Sequence, residues 1–292
     1  MDVTAPALVA SVIVPTRDRP DRLRRCLQAL DRQTASSFEV VVVDDGSVDA
    51  VAVENVVADV VAGAPHVRLV VAAGRGPATA RNLGAAAARG PLLCFTDDDC
   101  RPEPGWLDAI AGRAARGAHV VAGPTVTART DNPYSVASQT VTNHLMDESR
   151  DEAHGTAGFA PTSNVACLAE VWRAVPFDDR YPSAAGEDRD WCSRLADHGV
   201  AVHIEPAARV WHDQDLTLRT FWRQQVRYGR GALRFHQRNG AGRGRQPARF
   251  YIGLVRAGFA RGAVVGALVV LAQVATAWGI ATEALRSRRR RR

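Results

Sequence analysis

The sequence contains no lysine, so all 37 of its basic residues are arginines. This absence excludes any chemistry that depends on a lysine of this chain, such as Schiff-base formation or phosphate binding by a P-loop lysine. Cysteine is also scarce, with five dispersed residues and no C-x-x-C pair. An odd, dispersed set disfavours a disulfide framework or a thiolate zinc site and indicates a reducing compartment.

The excess positive charge lies at one end of the chain. The net charge is +6, and six arginines follow Leu285, while the other 31 arginines balance 31 acidic residues. A basic tail on a neutral body predicts a local anionic partner and no nucleic-acid-binding face across the domain. The first residues show no apolar run followed by a cleavage site, so we expect no signal peptide and a cytoplasmic location.

Apolar runs alternate with helical patterns in the first half of the chain. Strands are predicted over 8–15, 38–43, 67–71 and 91–95, and helices over 19–30, 51–62, 78–88 and 106–115. The runs of Val, Leu and Ile lack polar alternation, which is typical of strands buried on both faces of a parallel sheet covered by helices. The 292 residues, 46% of them hydrophobic, suffice for one large α/β domain with an appendage.

Carboxylates directly follow two of the predicted strands. Asp97-Asp98-Asp99 come after one apolar run and Asp44-Asp45 after another. The carboxyl ends of parallel strands share the sheet edge where ligands bind, so both clusters are expected there. Like charges this close repel one another unless a cation lies between them, and oxygen ligands suit Mg²⁺ or Mn²⁺. An acidic turn is the alternative reading of either cluster alone.

The second half of the chain is less regular. Residues from about 124 are predicted to be irregular; helical patterns return over 165–175, after Gly186 and over 221–237, and strands are predicted over 200–204 and 210–212. We predict a catalytic domain over residues 1–238, a linker over 239–249 and a membrane-associated helical segment over 250–292.

One stretch has the length of a membrane span. Residues 262–282 carry no charge. A single span would export the arginine tail from a cytoplasmic domain, against the tendency of basic residues to stay inside. We therefore expect a peripheral helix in the inner leaflet, with the tail on anionic headgroups. A spanning helix and a buried core helix are the alternatives.

Five short motifs occur in order along the chain. They are Ser11-Val-Ile-Val-Pro15-Thr16-Arg17, Val43-Asp44-Asp45-Gly46-Ser47, Ala80-Arg81-Asn82-Leu83-Gly84, Asp97-Asp98-Asp99 and Gly186-Glu187-Asp188. Over about residues 8–232 the chain resembles family-2 glycosyltransferases of the GT-A fold. The resemblance implies an α/β fold with a mixed, mainly parallel sheet flanked by helices. It also implies transfer of a sugar, with inversion, from a nucleotide-diphosphate sugar to an acceptor hydroxyl, with Mg²⁺ or Mn²⁺ as cofactor.

The resemblance assigns a nucleotide-sugar site to residues of several motifs. The turn after the first strand and the carboxylates after the second suit the base, and the arginine and asparagine that open a helix suit a phosphate or a base edge. The predicted set is Pro15, Thr16, Arg17, Asp44, Asp45, Arg81, Asn82, Asp97, Asp98, Asn164 and Arg227. We expect a UDP-sugar donor.

The acidic triplet and a later histidine form the predicted metal site. The family pattern D-x-D corresponds to Asp97 and Asp99, one of which contacts the ribose and the other the metal. Because Asp98 lies between them, the pattern leaves open which carboxylate coordinates the metal. His212 follows an apolar strand and is expected to complete the metal set of Asp97, Asp99 and His212. A structural histidine is the alternative.

Glu187 and Asp188 resemble the family's catalytic pair. Asp188 is the predicted general base, because an acceptor hydroxyl is a poor nucleophile until a carboxylate takes its proton, and Glu187 is expected to orient the acceptor or the base. An acidic first helical turn is the alternative for both residues.

Other readings of the whole chain stay open. A sugar-phosphate nucleotidylyltransferase would share the sheet and the cation. That class has an N-terminal, Gly-rich basic loop with a lysine, whereas this chain has Pro15-Thr16-Arg17-Asp18 and no lysine. A catalytically inactive nucleotide-sugar-binding protein at the membrane is the second alternative. The favoured prediction is a bacterial glycan-building enzyme of the cell envelope at the cytoplasmic face of the membrane, with a lipid-linked or saccharide acceptor.

Overall fold

The first half of the chain forms strands and helices close to the predicted positions. The computed structural model describes residues 8–61, 66–181, 183–240 and 246–290. The elements are β1 (Ala10–Thr16), α1 (Pro20–Leu30), β2 (Phe38–Asp44), α2 (Ala50–Val61), β3 (Val67–Val71), α3 (Pro77–Ala87), β4 (Leu92–Phe95), β5 (Cys100–Pro102) and α4 (Trp106–Ala115). Residues 241–245 of the predicted linker 239–249 and the last two arginines lie outside the described residues, while α8 includes Asn239 and α9 begins at Ala248.

The second half contains more regular structure than the sequence pattern indicates. Its elements are β6 (Val120–Ala122), β7 (Thr125–Thr127), α5 (Pro133–Asp147), β8 (Arg150–Asp151), β9 (Thr156–Ala157), β10 (Val165–Leu168), α6 (Ala169–Ala174), α7 (Glu187–Asp197), β11 (Val202–Ile204), β12 (Val210–His212), α8 (Leu218–Asn239), α9 (Ala248–Phe259) and α10 (Ala263–Arg290). The predicted C-terminal segment is therefore two helices.

Helix α5 contradicts the prediction of an irregular segment from residue 124. The side chain of Asn132 accepts hydrogen bonds from the backbone N–H groups of Tyr134 and Ser135, and Pro133 occupies the first turn. Both features are typical of a stable helix N-terminus. Its buried residues are mostly small or polar, including Ser138 and Gln139. Without an apolar period of 3.6 residues, the usual helix signal is missing.

A nine-stranded sheet forms the centre of the fold. Its order is β3-β2-β1-β4-β10-β6-β11-β9-β8. β1 runs parallel to β2 and β4, and β2 runs parallel to β3, whereas β10 lies antiparallel to both β4 and β6. Every residue of β1, β2 and β4 is buried. The predicted mixed, mainly parallel sheet covered by helices is confirmed.

A second sheet of three strands brings a distant histidine to the end of β4. Its order is β5-β12-β7, and β12 pairs antiparallel with β5 so that His212 lies opposite Cys100. Since Cys100 directly follows Asp99, this register carries His212 to the acidic triplet.

The last two helices pack on the rest of the fold. An apolar cluster that includes Phe221, Phe250, Leu254 and Val269 joins α8, α9 and α10 to α5. One face of α10 is therefore buried against the catalytic half of the chain. Among the described helices, Ala263–Arg288 is the one long and apolar enough to cross a membrane, and 39% of its most apolar window is buried.

Candidate active site

One large cavity lies at the carboxyl ends of β1, β2 and β4. Its volume is about 940 Å³. Crevices at this edge of open α/β sheets are the usual ligand sites. The predicted site residues that line it are Pro15, Thr16, Arg17, Asp45, Arg81, Asp97, Asp99, Glu187, Asp188, His212 and Arg227.

The three consecutive aspartates have different environments. Asp98 is fully buried; it accepts a hydrogen bond from Thr16 Oγ1 at 2.8 Å and lies 3.2 Å from the guanidinium of Arg19. Burial raises the pKa of Asp98 to about 7, against the opposing charge of Arg19. Asp98 is not among the described residues that line the cavity, and its assignment to the nucleotide-sugar site stays a prediction.

Asp99 faces His212. The Nε2 atom of His212 lies 3.3 Å from Asp99 Oδ1, and the guanidinium groups of Arg19 and Arg22 lie 3.2 and 3.1 Å from Asp99 Oδ2. Burial opposes ionisation of Asp99, but His212 and the two arginines together lower its pKa well below the usual range. Asp99 is therefore a charged carboxylate beside an imidazole.

A chain of amide hydrogen bonds determines which nitrogen of His212 carries the proton. Asn143 Nδ2 donates to the Thr125 carbonyl at 3.0 Å, and Gln139 Nε2 donates to Asn143 Oδ1 at 2.7 Å. These bonds leave Gln139 Oε1 as the acceptor facing His212 Nδ1, at 3.0 Å. Nδ1 must therefore be the donor, and in the neutral ring the lone pair of Nε2 points at the Asp99 carboxylate.

This arrangement fits a divalent cation. Two acceptors 3.3 Å apart, Nε2 of His212 and Oδ1 of Asp99, repel unless a proton or a metal ion lies between them. The Sγ atom of Cys100 lies within 4.8 Å of both ligand atoms. Burial raises the pKa of Cys100 well above its usual value, and a thiolate is in any case a soft ligand that does not suit Mg²⁺ or Mn²⁺. The carboxylate and imidazole suit Mg²⁺ or Mn²⁺, with open positions for substrate oxygens.

Asp97 belongs to a different group. Its Oδ1 accepts from Arg81 Nη2 at 2.7 Å, and Arg81 Nη1 donates to Glu187 Oε1 at 3.3 Å. Arg81 is buried and lies in the first turns of α3. Asp97 is the more accessible carboxylate of the triplet, with 29% of its side chain exposed. It is not part of the compact Asp99–His212 group, and its predicted role as a metal ligand stays a prediction.

Glu187 and Asp188 open α7 and face the cavity. Burial raises the pKa of Glu187 to about 7, the charge of Asp188 adds to the effect, and Arg81 opposes it. Glu187 Oε2 is buried and has no hydrogen-bond partner among the described residues. Burial also raises the pKa of Asp188, and the backbone N–H of Arg189 donates to its Oδ1 at 2.8 Å. A carboxylate with a raised pKa is a better proton acceptor near neutral pH.

Only one carboxylate of the Asp44-Asp45 pair reaches the cavity. Asp44 Oδ1 accepts from the backbone N–H and the hydroxyl of Ser47, at 3.0 and 2.6 Å, and is not among the described lining residues. These bonds to Ser47 support the turn role, and the nucleotide contact of Asp44 stays a prediction. Asp45 lines the cavity, accepts from the backbone N–H of Gly76 at 2.9 Å and has a pKa raised by burial.

Two asparagines of the predicted nucleotide-sugar site bond to other parts of the protein, and their contacts with a donor stay predictions. Asn82 donates to the Phe177 carbonyl at 2.8 Å and accepts from Trp172 Nε1 and the Phe177 N–H, each at 3.0 Å, so its amide holds the chain after α6. Asn164 is fully buried; it accepts from Trp106 Nε1 at 2.8 Å and donates to two backbone carbonyls. Neither residue is among the described residues of the cavity wall.

Two residues of the site, Arg19 and Gln139, line the cavity but were not singled out from the sequence. Gln225 and Tyr228, near the predicted Arg227 on α8, also line it, and the Arg227 guanidinium is 5.9 Å from the tyrosine ring centre. Arg19 lies two positions after Arg17, in the turn between β1 and α1. This proximity to a predicted site residue was the one feature of the sequence that could have indicated its role. Gln139 lies on the unpredicted helix α5.

Two family descriptions match the chain. Residues 11–171, more than half of the chain, match Glycosyl transferase family 2, and residues 93–285 match Glycosyl transferase family group 2. The chain is 31% identical over 231 residues to the pre-mycofactocin glycosyltransferase of Mycobacterium tuberculosis (strain CDC 1551 / Oshkosh), which covers 76% of this chain and 46% of that protein. It is 30% identical over 235 residues to validoxylamine A glucosyltransferase of Streptomyces hygroscopicus subsp. jinggangensis (strain 5008), covering 66% and 53%. The chain thus spans about half the length of these relatives.

Two solved structures resemble the fold. The mannosyltransferase PcManGT from Pyrobaculum calidifontis, in complex with GDP-Man and Mn²⁺, aligns with a TM-score of 0.60 at 19% identity, covering 94% of this chain and 76% of that one. GalNAc-T7 with UDP, GalNAc and Mn²⁺ aligns with a TM-score of 0.58 at 15% identity, covering 78% and 48%. The likeness shows the fold alone, and it confirms the predicted GT-A architecture.

Proposed function

We propose a sugar-transfer reaction for this chain, which belongs to glycosyltransferase family 2. The reaction moves a sugar from a nucleotide-diphosphate sugar to an acceptor hydroxyl, with inversion at the anomeric carbon. One observation carries the proposal: the Asp99–His212 pair and the Asp188 carboxylate line the same cavity. A cation site and a proton acceptor are the two groups that such a transfer needs.

The donor half of the reaction uses the polar wall of the cavity. Asp45 accepts from an N–H of the base, and Arg17 lies beside the nucleotide. Asp99 and His212 would hold the divalent cation, with Asp97 directed at the ribose or the diphosphate. The cation supplies Lewis-acid stabilisation of the leaving nucleotide diphosphate. Arg227 adds a positive charge from α8.

The acceptor half depends on Asp188. The acceptor oxygen forms a bond to the anomeric carbon as the bond from that carbon to the diphosphate oxygen breaks, and its electron pair leaves with the diphosphate. The proton of the attacking hydroxyl passes to the Asp188 carboxylate. Glu187, held by Arg81 at 3.3 Å, orients the neighbouring Asp188 or the acceptor.

The choice of donor is based on the structural neighbours and on Asp45, and the location on the C-terminal helix and tail. The two structural neighbours contain GDP-Man and UDP, each with Mn²⁺, which supports a nucleotide-sugar donor and a divalent cation. We retain UDP as the favoured nucleotide because the Asp45 carboxylate suits the N–H of uracil. The apolar helix α10 and the arginine tail support attachment to the cytoplasmic face of a bacterial membrane, in cell-envelope glycan synthesis.

Thermal shift and turnover in two variants test the proposal. Wild-type protein is expected to melt higher with a nucleotide sugar and Mn²⁺ than with either alone, because a bound ligand stabilises the folded state by mass action. Asp99→Asn is expected to lose the Mn²⁺-dependent part of this shift. Asp188→Asn is expected to keep the shift but to lose about 10²–10⁴-fold in transfer rate, the usual contribution of a general base.

Asp59→Asn is the control, because Asp59 is 60% exposed and pairs with Arg24 outside the cavity wall. A Mn²⁺-dependent shift that survives Asp99→Asn would contradict the metal assignment. Transfer of a nucleotidyl group onto a sugar phosphate would favour the nucleotidylyltransferase alternative, and donor binding without any transfer would favour the inactive one.

A further inference from the structure

The wall of the cavity differs in polarity from one part to another. The cavity volume of about 940 Å³ is at the upper end of the roughly 300–1,000 Å³ typical of a site for one small ligand. The polar residues described above occupy one part of its wall. Helices α5, α9 and α10 form another part, which includes the polar residues Thr142, Gln273 and Thr276. Its apolar residues are Val141, Leu145, Phe250, Leu254 and Ile280.

One buried polar group lines the cavity without a partner. Gln225, on α8, is 1% exposed, and neither its Oε1 nor its Nε2 atom has a hydrogen-bond partner among the described residues. Its neighbour Gln224 differs, since it accepts from Ser138 and donates to Gln214. A buried amide with both polar atoms unpaired is costly, and such groups persist where a ligand completes their bonds.

We propose that the apolar part of the cavity is the acceptor subsite and that it takes an acceptor with an apolar aglycone next to the attacked hydroxyl. The proposal rests on the proposed function, because Asp188 must be the group that receives the proton. Gln225 binds a polar group close to that hydroxyl, donating through Nε2 and accepting through Oε1. The aglycone packs on Val141, Leu145 and Ile280, which line the cavity and are only partly buried.

The position of the apolar wall supports an amphipathic acceptor over a free sugar. A free sugar exposes hydroxyls on all sides, and burying them against aliphatic side chains leaves them unpaired. An acceptor with one polar end satisfies both parts of the wall. The aglycone has two sources: a lipid in a bilayer or a soluble aryl or alkyl compound. Exposed apolar residues of α9 and α10, such as Ile252 and Trp278, are compatible with the lipid source.

Binding of methyl, hexyl and octyl β-glucosides, measured by calorimetry with the nucleotide and Mn²⁺ present, tests the inference. We expect affinity to rise with chain length, at least tenfold from methyl to octyl. Gln225→Leu is expected to weaken octyl glucoside at least tenfold while leaving the melting temperature of the free protein unchanged or higher, because the variant removes an unpaired buried amide. A purely structural glutamine would instead lower the melting temperature.

Ile280→Thr is expected to weaken octyl but not methyl glucoside. Val274→Thr is the matched control, since Val274 lies on the same helix, is 54% exposed and is outside the described cavity wall. A soluble aryl glucoside and a long-chain glucoside in phospholipid vesicles distinguish the two sources of the aglycone. Equal affinity for all chain lengths, or no effect of either cavity variant, would overturn the inference.

The same samples separate this inference from the proposed function. The nucleotide-sugar and Mn²⁺ shift reports on the donor site alone. Loss of that shift in the wild type refutes the proposed function, whereas a normal donor shift with no chain-length dependence refutes only the acceptor subsite.

Discussion

At the residue scale, the acidic triplet shows how the environment divides three identical side chains. Asp98 is buried under Thr16, Asp97 pairs with Arg81, and Asp99 faces His212. The triplet lies between β4 and β5, in a turn closed by a hydrogen bond from the Cys100 N–H to the Asp97 carbonyl at 3.0 Å, and the turn directs the three side chains to different partners. The two outer carboxylates therefore face the cavity, and the middle one packs inward.

The first prediction concerns Gln139, which we infer to be a positioning residue for His212. Gln139→Met has a similar shape but cannot accept from His212 Nδ1, so the imidazole loses its fixed tautomer. We expect Mn²⁺ affinity to fall by about 10- to 100-fold, the usual effect of removing an outer-sphere partner of a metal ligand. Electron paramagnetic resonance of free Mn²⁺, titrated with protein and nucleotide, measures this directly.

Gln139→Glu keeps an acceptor for His212 Nδ1 but loses the Nε2 donor to Asn143 Oδ1, so it is expected to bind Mn²⁺ more tightly than Gln139→Met. The two variants separate orientation from packing. If both lose Mn²⁺ affinity equally, Gln139 serves only the packing of α5.

The predictability of the site also differs by residue. Asp45, Asp99, Asp188 and His212 were predictable because each follows a strand or opens a helix in a recognisable motif. Asn82 and Asn164 lie in equally suggestive places, yet their amides are used by Trp172 and Trp106. Sequence spacing indicates that a polar side chain is near a site, but it does not indicate which partner takes its hydrogen bonds.

At the element scale, helix α10 is fitted closely to the helix that carries Arg227. A Cβ atom at Gly229 of α8 would lie 2.0 Å from the Thr276 carbonyl oxygen, and one at Gly279 of α10 would lie 2.1 Å from the Val226 carbonyl oxygen. The two backbones touch because neither glycine has a side chain. The C-terminal segment is thus packed on the catalytic half.

Gly229→Ala is expected to destabilise the protein. The added methyl group overlaps backbone atoms that cannot rotate away, and overpacking of this kind usually costs about 1–3 kcal/mol. Guanidinium unfolding followed by circular dichroism measures the change in the free energy of unfolding.

Gly112→Ala is the matched control, because Gly112 lies within α4 and its nearest outside atom would be 3.5 Å from the new Cβ, on the flexible side chain of Arg116. The control is expected to gain up to about 1 kcal/mol from helix propensity. Equal stability of Gly229→Ala and the wild type would mean that α10 does not rest on α8.

Strands and helices were predictable from the sequence where their buried residues are mainly apolar. β1, β2 and β3 are continuous apolar runs, and their positions agree with the sequence to within about two residues at each end. Helix α5 was missed because its buried face is made of Ser, Thr and Gln, and the three-residue strands β5 and β7 are too short to show a period.

At the scale of the whole molecule, the fold has an apolar stripe beside a basic tail. Val264, Val270, Val274, Trp278 and Leu285 are exposed along α10, at spacings that keep them on one side of the helix. The opposite side packs against α5, α8 and α9. A helix that buries one face on its own domain presents only the other to lipid, which favours lying in the interface over crossing the bilayer.

The last prediction tests this attachment. Replacing the six terminal arginines by serine is expected to move protein from the membrane to the soluble fraction, because each arginine near anionic lipid contributes roughly 1 kcal/mol. High salt is expected to have part of the same effect on the wild type, since it screens these charges.

The control replaces Arg32 and Arg173, both exposed and far from the tail in the sequence, and is expected to leave the distribution unchanged. A spanning helix would resist salt, carbonate and the arginine changes and would be released only by detergent, whereas a core helix would leave the wild type soluble. Fractionation in salt, carbonate and detergent therefore separates the three arrangements, and the packed inner face of α10 with its exposed outer stripe leads us to expect the peripheral one.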